Sequence, residues 1–343
     1  MRRACLLGNS DTKRTIYLEQ AAARTGLPLL FLDWREPAKI RELAVENQLL
    51  LKVDPPLWDS SRLEELDALT GEYTARLEEL AHIAQSGGHL EFLNHPLEIA
   101  AVLDKRACKA RLAGAAIPVT ELLEGAGMSA RGLLDRMREK RIFQVFIKPV
   151  MGSGAAGVSA FRWQPSTGRM ALYTCAMAEN GGSGLVNTKK LRRFSDREEI
   201  FLLLDRLLGL DCIVERWYAK AEYRGMSYDL RAVVQEGRVD FLLGRLSSGP
   251  VTNLHLNNRP LEVPALGLPG KVLEEVQELC HRCMACCPGL SSAGIDILLE
   301  KGTLRPRIIE MNGQGDLIYQ DIYHENIIYR RQAELMRRWL ERP

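Results

Sequence analysis

The sequence predicts an α/β (α+β) protein, with a parallel N-terminal unit followed by a larger region of mixed strands and helices. Three observations carry this expectation. The chain opens with an apolar run, a helical stretch and a second apolar run. A glycine loop at 152–157 joins two segments rich in β-formers. Near the C-terminal end, two apolar strand-like segments carry acids and are separated by Gly302.

A chain of 343 residues is expected to form about two domains. Apolar residues make up 46% and charged residues 26%, which excludes global disorder. Lys+Arg 46 against Asp+Glu 44 leaves +2, so no overall field draws the chain to nucleic acid or to an acidic membrane. No apolar run reaches the roughly 18 residues needed to span a bilayer. Arg2 and Arg3 precede Ala4-Cys5-Leu6-Leu7, but Asn9-Ser10-Asp11 ends that stretch before it could serve as a signal peptide. The expectation is a cytoplasmic protein, and its eight cysteines are expected as free thiols.

Four of those cysteines, Cys280, Cys283, Cys286 and Cys287, include a C-x-x-C-x-x-C spacing that resembles the start of an iron–sulfur run. Such a run needs a distant fourth ligand. Val272, Val276, Leu279, Cys280, Cys283 and Cys287 also form a helical stripe, on which cysteine behaves as a small buried hydrophobe. A core helix is therefore expected.

From the N-terminus, Ala4-Cys5-Leu6-Leu7 reads as a strand, Asn9-Ser10-Asp11 as the cap of a helix through Ala23, and Gly26 as its end. Leu29-Leu30-Phe31-Leu32 and Leu49-Leu50-Leu51 read as further strands, the latter closed by the rigid turn Asp54-Pro55-Pro56. Helices are expected over 62–85 and 97–113, the second as one piece carrying Asp104-Lys105 and stopping at Gly114. Strands are expected at 142–150 and 158–163. A flexible loop at 180–184 and a basic loop at 189–193 come next. Beyond them lie a helix at 196–208, strands at 212–215, 229–235 and 239–246, and a helix at 271–287. Strands at 294–299 and 307–312 and a helix over about 325–341 complete the chain.

Gly152-Ser153-Gly154-Ala155-Ala156-Gly157 has the letters of a dinucleotide fingerprint. In that fold the third glycine opens a helix. Here the loop runs into Val158-Ser159-Ala160-Phe161-Arg162-Trp163, which has no helical period. A glycine loop between strands can instead lay its backbone N–H groups over nucleotide phosphates, with Lys148 at its root as a cation. A structural hairpin is the plainer alternative. The chain has neither the catalytic motifs of a protein kinase nor a P-loop.

Asp296 and Glu310-Met311-Asn312 lie on apolar segments that Gly302 can fold into a hairpin. Residues 310 and 312 then share a face. Acids inside apolar strands are costly unless paired or metal-bound, and these three oxygen ligands suit Mg²⁺. The alternative is a pair of edge-strand acids facing water. Asp229 and Arg231 share a face, and Arg245 ends the next strand. The two guanidinium groups could hold phosphate oxygens bidentately, or form a surface pair of little weight. Asn253 offers both donor and acceptor, while His255 alone is more often structural.

Taken in order, these pieces resemble the ATP-grasp superfamily, in the branch of S6-modification enzymes, glutathione synthetase and peptide-crosslinking ligases. The matching residues run from Asn94-His95-Pro96 through Asp104-Lys105, Ile117-Pro118-Val119-Thr120 and Ile147-Lys148-Pro149 with the glycine loop. They continue with Val214-Glu215-Arg216-Trp217-Tyr218, Asp229-Leu230-Arg231, the span from Arg245 to Asn253, and Asp296 with Glu310-Met311-Asn312. The resemblance implies an ATP-grasp fold with an N-terminal Rossmann-like pre-ATP-grasp domain at 1–93. A linker and small lid subdomain would span 94–213, and a C-terminal subdomain with hinge and Mg²⁺ site 214–343.

It also implies roles. Lys105 and Lys148 would contact ATP phosphates, with Gly152, Ser153, Gly154 and Gly157 closing over them. Glu215, Trp217 and Tyr218 would form the hinge whose backbone binds adenine, and Glu222 would reach the ribose. Asp296, Glu310 and Asn312 would hold Mg²⁺, and Arg231, Arg245 and Asn253 would face the γ-phosphate and the acceptor carboxylate. The implied activity is a carboxylate–amine ligase working through an acyl phosphate on small-molecule or peptide substrates. It needs no nucleic acid or membrane partner and leaves a homodimer open. An ATP-dependent kinase on the same fold and a non-catalytic ATP-binding partner protein are the competing readings. Asn257-Asn258 stand where the S6-modifying type carries glycines, a departure in the acceptor region.

Overall fold

Ala4, Cys5, Leu6 and Leu7 are fully buried, as expected of a parallel strand covered on both faces. They belong to β1 (Arg2–Gly8), followed by α1 (Lys13–Thr25), β2 (Leu29–Asp33), α2 (Ala38–Glu46), β3 (Gln48–Val53), α3 (Leu66–Gln85) and β4 (Leu90–Phe92). The four strands form a parallel sheet in the order β2-β1-β3-β4. The computed structural model describes residues 1–57, 59, 61–87, 89–123, 127–152, 155–179, 184–256, 258–314 and 326–342. The cap of α1 is Thr12 rather than Asn9-Ser10-Asp11. Its hydroxyl accepts from the Thr15 N–H, and Gly26 at φ 68° ends the helix as expected.

The single helix expected over 97–113 is two, α4 (Pro96–Leu103) and α5 (Lys105–Gly114). Asp104 leaves helical geometry at φ −74°, ψ 101°, and its carboxylate accepts from the Ala107 N–H. An aspartate that can cap the next helix competes with continuing the first. The break places Lys105 in the first turn of α5.

The second sheet is antiparallel. Its elements are α6 (Ala130–Lys140), β5 (Gln144–Pro149), β6 (Ser159–Gln164), β7 (Arg169–Ala178), β8 (Leu185–Phe194), α7 (Arg197–Leu208) and β9 (Cys212–Arg216). Strand order is β8-β7-β6-β5-β9. Leu133, Met137, Phe161, Leu172 and Leu203 join its core. The basic run 189–193 is not a loop. It lies in β8, an edge strand paired to β7 through Tyr173↔Arg193 and Thr174↔Arg192. Edge strands carry charge because one side meets water rather than a partner. Of the expected loop 180–184, residues 180–183 lie outside the described residues.

The third sheet comprises β10 (Glu222–Tyr223), β11 (Met226–Gln235), β12 (Arg238–Ser247), β13 (Arg259–Glu262), β14 (Ser292–Leu299) and β15 (Pro306–Asn312). Helices α8 (Val263–Leu266) and α9 (Gly270–Ala285) precede β14, and α10 (Ile327–Leu340) comes after β15. The order is β13-β12-β11-β14-β15, with β10 on β11. Every residue of β14 is buried. Helix α9 puts Val276, Leu279, Cys280 and Cys283 into the core, together with Cys287 just beyond it. Helix α10 packs on α1, with Tyr17 and Tyr329 ring centroids 6.0 Å apart. Among the described residues no helix is long and apolar enough to cross a membrane.

Residues 117–123 tie the second sheet to the third. The Thr120 N–H donates to the Ile308 carbonyl at 3.2 Å, and the Leu123 N–H to the Val214 carbonyl at 2.8 Å. Lys148 on β5 and Glu310 on β15 are thereby brought to walls of one cavity.

Candidate active site

Lys148 is buried on β5 and its ammonium is held by the Glu215 carboxylate of β9. Glu215 also accepts from the Thr120 hydroxyl at 2.7 Å and pairs with Lys109 Nζ at 2.9 Å. Burial alone would push the Glu215 carboxyl up. Lys109 and Lys148 outweigh it and hold the group at about 2. Lys105 Nζ donates to the carbonyls of Gly152 at 2.8 Å and Val150 at 3.3 Å, which ties the first turn of α5 to the root of the glycine loop. Burial lowers the Lys105 pKa, opposed by Glu310.

The loop folds back on its own root. Gly157 sits at φ 67°, and a Cβ there would lie 2.9 Å from Pro149 Cγ. Gly152 at φ 128° and Ala155 at φ 65° are also left-handed. Gly152, Ala155, Ala156 and Val158 form one wall of the cavity. Ser153 and Gly154, expected as phosphate contacts, lie outside the described residues.

The opposite wall is the β14–β15 hairpin. Asp296 stands directly across from Glu310, and Gly294 across from Asn312. On its other side Asp296 is the register partner of Arg231. Arg231 Nε lies 2.6 Å from Asp296 Oδ1, and Arg245 Nη2 lies 3.2 Å from the same oxygen. Arg245 Nε donates to Asp229 Oδ1 at 2.8 Å. All four side chains are buried, so the surface-pair alternative does not hold. Asp229 also accepts from the Thr252 hydroxyl and pairs with Lys220 Nζ at 3.3 Å. Burial raises Asp229, but Arg245 and Lys220 overcome it and hold the carboxyl well below its usual range.

Glu310 is likewise pushed up by burial and pulled down further by Lys105, Lys148, Arg231 and Arg245, to about 2. Its facing partner Asp296 is raised, chiefly by burial. Among the described residues no three His, Cys, Asp or Glu side chains converge for a metal ion, and the candidate set is two carboxylates and an amide. An all-oxygen set of this kind fits a small hard cation that keeps water and phosphate in its remaining positions. The Asn312 amide nitrogen is buried without a partner, a donor that suits an oxygen acceptor and not a cation, and Asn312 itself does not line the cavity.

No protein-family model matches the sequence, and no curated protein matches it. Solved structures do match its fold. D-cycloserine synthetase DcsG superposes with a TM-score of 0.62 at 13% identity, covering 98% of this chain and 99% of that one. The ATP-grasp ligase PsnB with a minimal precursor gives 0.61 at 13% identity, covering 98% and 99%. D-alanine–D-alanine ligase from Bacillus anthracis gives 0.58 at 13%, covering 100% of both chains. This chain has the ATP-grasp fold.

Within the ATP-grasp fold, most of the expected site residues meet. Lys105, Lys148, Gly152, Glu215, Tyr218, Arg245, Asn253, Asp296 and Glu310 line the one cavity. Arg231 lies beneath, reached through Asp296. Gly157 and Asn312 are not among the cavity's lining residues, and two more placements differ from expectation. Trp217 does not line the cavity; it packs on Phe146 and Tyr173, at centroid distances of 5.4 and 6.4 Å. Glu222, expected at the ribose, is exposed and pairs with Lys301 at 2.6 Å; it lies on β10, a two-residue strand paired with the first residues of β11, and does not line the cavity. Glu215, expected to act through its backbone, has in addition a carboxylate turned inward as the anchor of two lysines. The His255 side chain and Asn257 are outside the described residues.

Lys109, Thr120 and Lys220 were not among the expected site residues. Lys109 comes four residues after Lys105 on a helix, a spacing that puts both on one face and could have flagged it. Lys220 lines the cavity and donates to the Thr252 hydroxyl at 2.6 Å. It had no local signal, because its partners come from β11 and from the loop after β12.

Proposed function

We propose that the chain is an ATP- and Mg²⁺-dependent carboxylate–amine ligase that forms an amide or peptide bond through an acyl phosphate. The observation that carries this reading is the charge layout of one cavity. Lys105 and Lys148 line it beneath the glycine loop, and the facing acids Asp296 and Glu310 line it opposite, with Arg245 beside Asp296. Bound nucleotides in relatives of the same fold support the choice of cofactor. PsnB was solved with precursor, Mg and ADP, and the Bacillus anthracis ligase with ATP.

Glu310, Asp296 and Asn312 would hold the ion, which when bound supplies neutralisation of phosphate charge. Lys148 and Lys105 neutralise the remaining phosphate oxygens, and the glycine loop covers them with backbone N–H groups. Arg245 and Asn253 face the site of transfer, with Arg231 fixing Asp296 from behind. The γ-phosphoryl group passes to a carboxylate oxygen and ADP leaves. An amine then attacks the acyl carbon, forms the C–N bond and expels phosphate. The protein supplies no covalent nucleophile; alignment and charge neutralisation carry the rate. The carboxylate and amine are small molecules or peptides, and the chain divides into a pre-ATP-grasp domain at 1–93, a linker and lid subdomain at 94–213 and a C-terminal subdomain at 214–343.

The test is a screen of ADP and phosphate release against amino acids, small acids and acidic peptides. A productive pair gives ADP, phosphate and an amide. Lys148→Met and Asp296→Asn should each lower that turnover by about a hundredfold or more, the scale seen on removing one transition-state donor. Unchanged turnover in both would overturn the mechanism. A stable phosphorylated product without phosphate release would select the kinase. Tight Mg-ATP binding without turnover on any acceptor would select the binding protein.

A further inference from the structure

Lys105 and Lys109 lie one turn apart on α5. Lys105 reaches out to the glycine loop, whereas Lys109 points into the interior and is 3% exposed. An ammonium has three protons to donate. Those of Lys109 meet three acceptors: the Thr120 hydroxyl, the Glu215 carboxylate at 2.9 Å and the Ile309 carbonyl at 2.7 Å. Glu215 is on β9 and Ile309 on β15, so one buried cation is pinned to two sheets. A buried ammonium is costly, and an apolar chain of similar length would fill the space without that cost.

The use of the charge lies in what Glu215 does. Its single negative charge is divided between Lys109 on one oxygen and Lys148 on the other. Without Lys109, Lys148 becomes the only ammonium paired with Glu215, and its charge is neutralised there instead of by a ligand in the cavity.

We propose that Lys109 is a positioning residue which, by sharing Glu215, keeps the charge of Lys148 available to a bound polyphosphate. This rests on the cavity being a nucleotide site. A purely structural role would predict a different pattern of losses.

The experiment is equilibrium binding of ATP and of adenosine, with Mg²⁺, to four proteins: wild type, Lys109→Met, Lys148→Met and the double variant. Lys109→Met should weaken ATP binding about tenfold, the weight of one charge-assisted contact, and leave adenosine within about twofold. In the Lys148→Met background the further loss of Lys109 should change ATP affinity by less than about twofold, because its effect runs through Lys148. Equal losses for ATP and adenosine would overturn the proposal, and so would a tenfold loss in both backgrounds. Where adenosine binds too weakly to read, the cycle on ATP decides alone. Should Lys109→Met fail to fold, Lys109→Gln removes the charge while keeping a hydrogen-bonding head, and the same cycle applies. A wild type that binds ATP no better than adenosine would instead sink the nucleotide reading itself, and this proposal with it.

Discussion

Asp296 and Glu310 are register partners on the last two strands, yet two arginines grip Asp296 while no side chain among the described residues hydrogen-bonds the Glu310 carboxylate. Each neutralisation should cost stability, through a different set of partners. Asp296→Asn leaves Arg231 and Arg245 buried with less counter-charge and should cost about 3 kcal/mol of stability. Glu310→Gln removes the charge that Lys105, Lys148, Arg231 and Arg245 hold ionised and should destabilise as well at neutral pH. Both should lose Mg-dependent turnover. Urea unfolding run beside an ADP-release assay reads both effects, and a Glu310→Gln protein as stable as wild type at about pH 7 would contradict the assignment.

Gly157→Ala should destabilise by about 1–3 kcal/mol, because it forces a Cβ against Pro149 at a left-handed φ. The loop would have to lift off its root, so nucleotide affinity should fall as well. Gly168→Ala makes a useful control for backbone strain, since Gly168 also has a positive φ but nothing within 4 Å of an added Cβ. If the two variants bind nucleotide equally well, the folded-back loop is not part of the site.

Glu215 makes a pH prediction. Its folded-state pKa lies at about 2, below the ordinary 4.5. A depressed carboxylate contributes stability above the unfolded value and loses it as pH falls through the folded one. Up to about 3 kcal/mol should therefore disappear between roughly pH 5 and pH 2. Glu215→Gln should flatten that part of the acid-denaturation profile. A variant with the wild-type slope would show that the two lysines do not hold this carboxylate.

The cysteines of α9 should separate by reactivity. Burial pushes the Cys280 thiol up to about 12, and Cys283 is raised in the same way. Cys286, at the C-terminal end of α9, is only half-buried. Alkylation of the native protein at pH 8, with peptide mapping of the product, should modify Cys286 first and leave Cys280 and Cys283 for the denatured state. Rapid modification of Cys280 would mean that the helix does not pack as described.

Much of this arrangement is legible in the residues themselves, where the information is local. The hairpin of β14 and β15 is readable from Gly302 and the two apolar runs, but the bulge between Asp296 and Ile297 that shifts the register by one residue and sets Asp296 across from Glu310 is not. The glycine loop is identified by the segment after it, since 158–163 cannot start a helix. The misses share a cause. Asp104 reads as helix until one sees that its side chain caps the next one. The charged run in β8 looks like a loop because an edge strand shows water the same residues a loop would. The face that Glu215 presents depends on Lys109, far away on another element, and no periodicity can report that. Glu222 is assigned to the ribose by likeness to a motif alone, and Lys301 draws it to the outside.

One packing detail bears on how the protein is made. The core beneath Ala4, Leu6, Leu18 and Ala21 is completed by Ile328, Tyr329, Ala333, Met336 and Trp339 of α10. The ribosome releases β1 first and α10 last of these elements. The first sheet thus waits until both later sheets and α10 have been made before its bare face is covered, and a nascent chain stalled between them would present that face to chaperones and proteases.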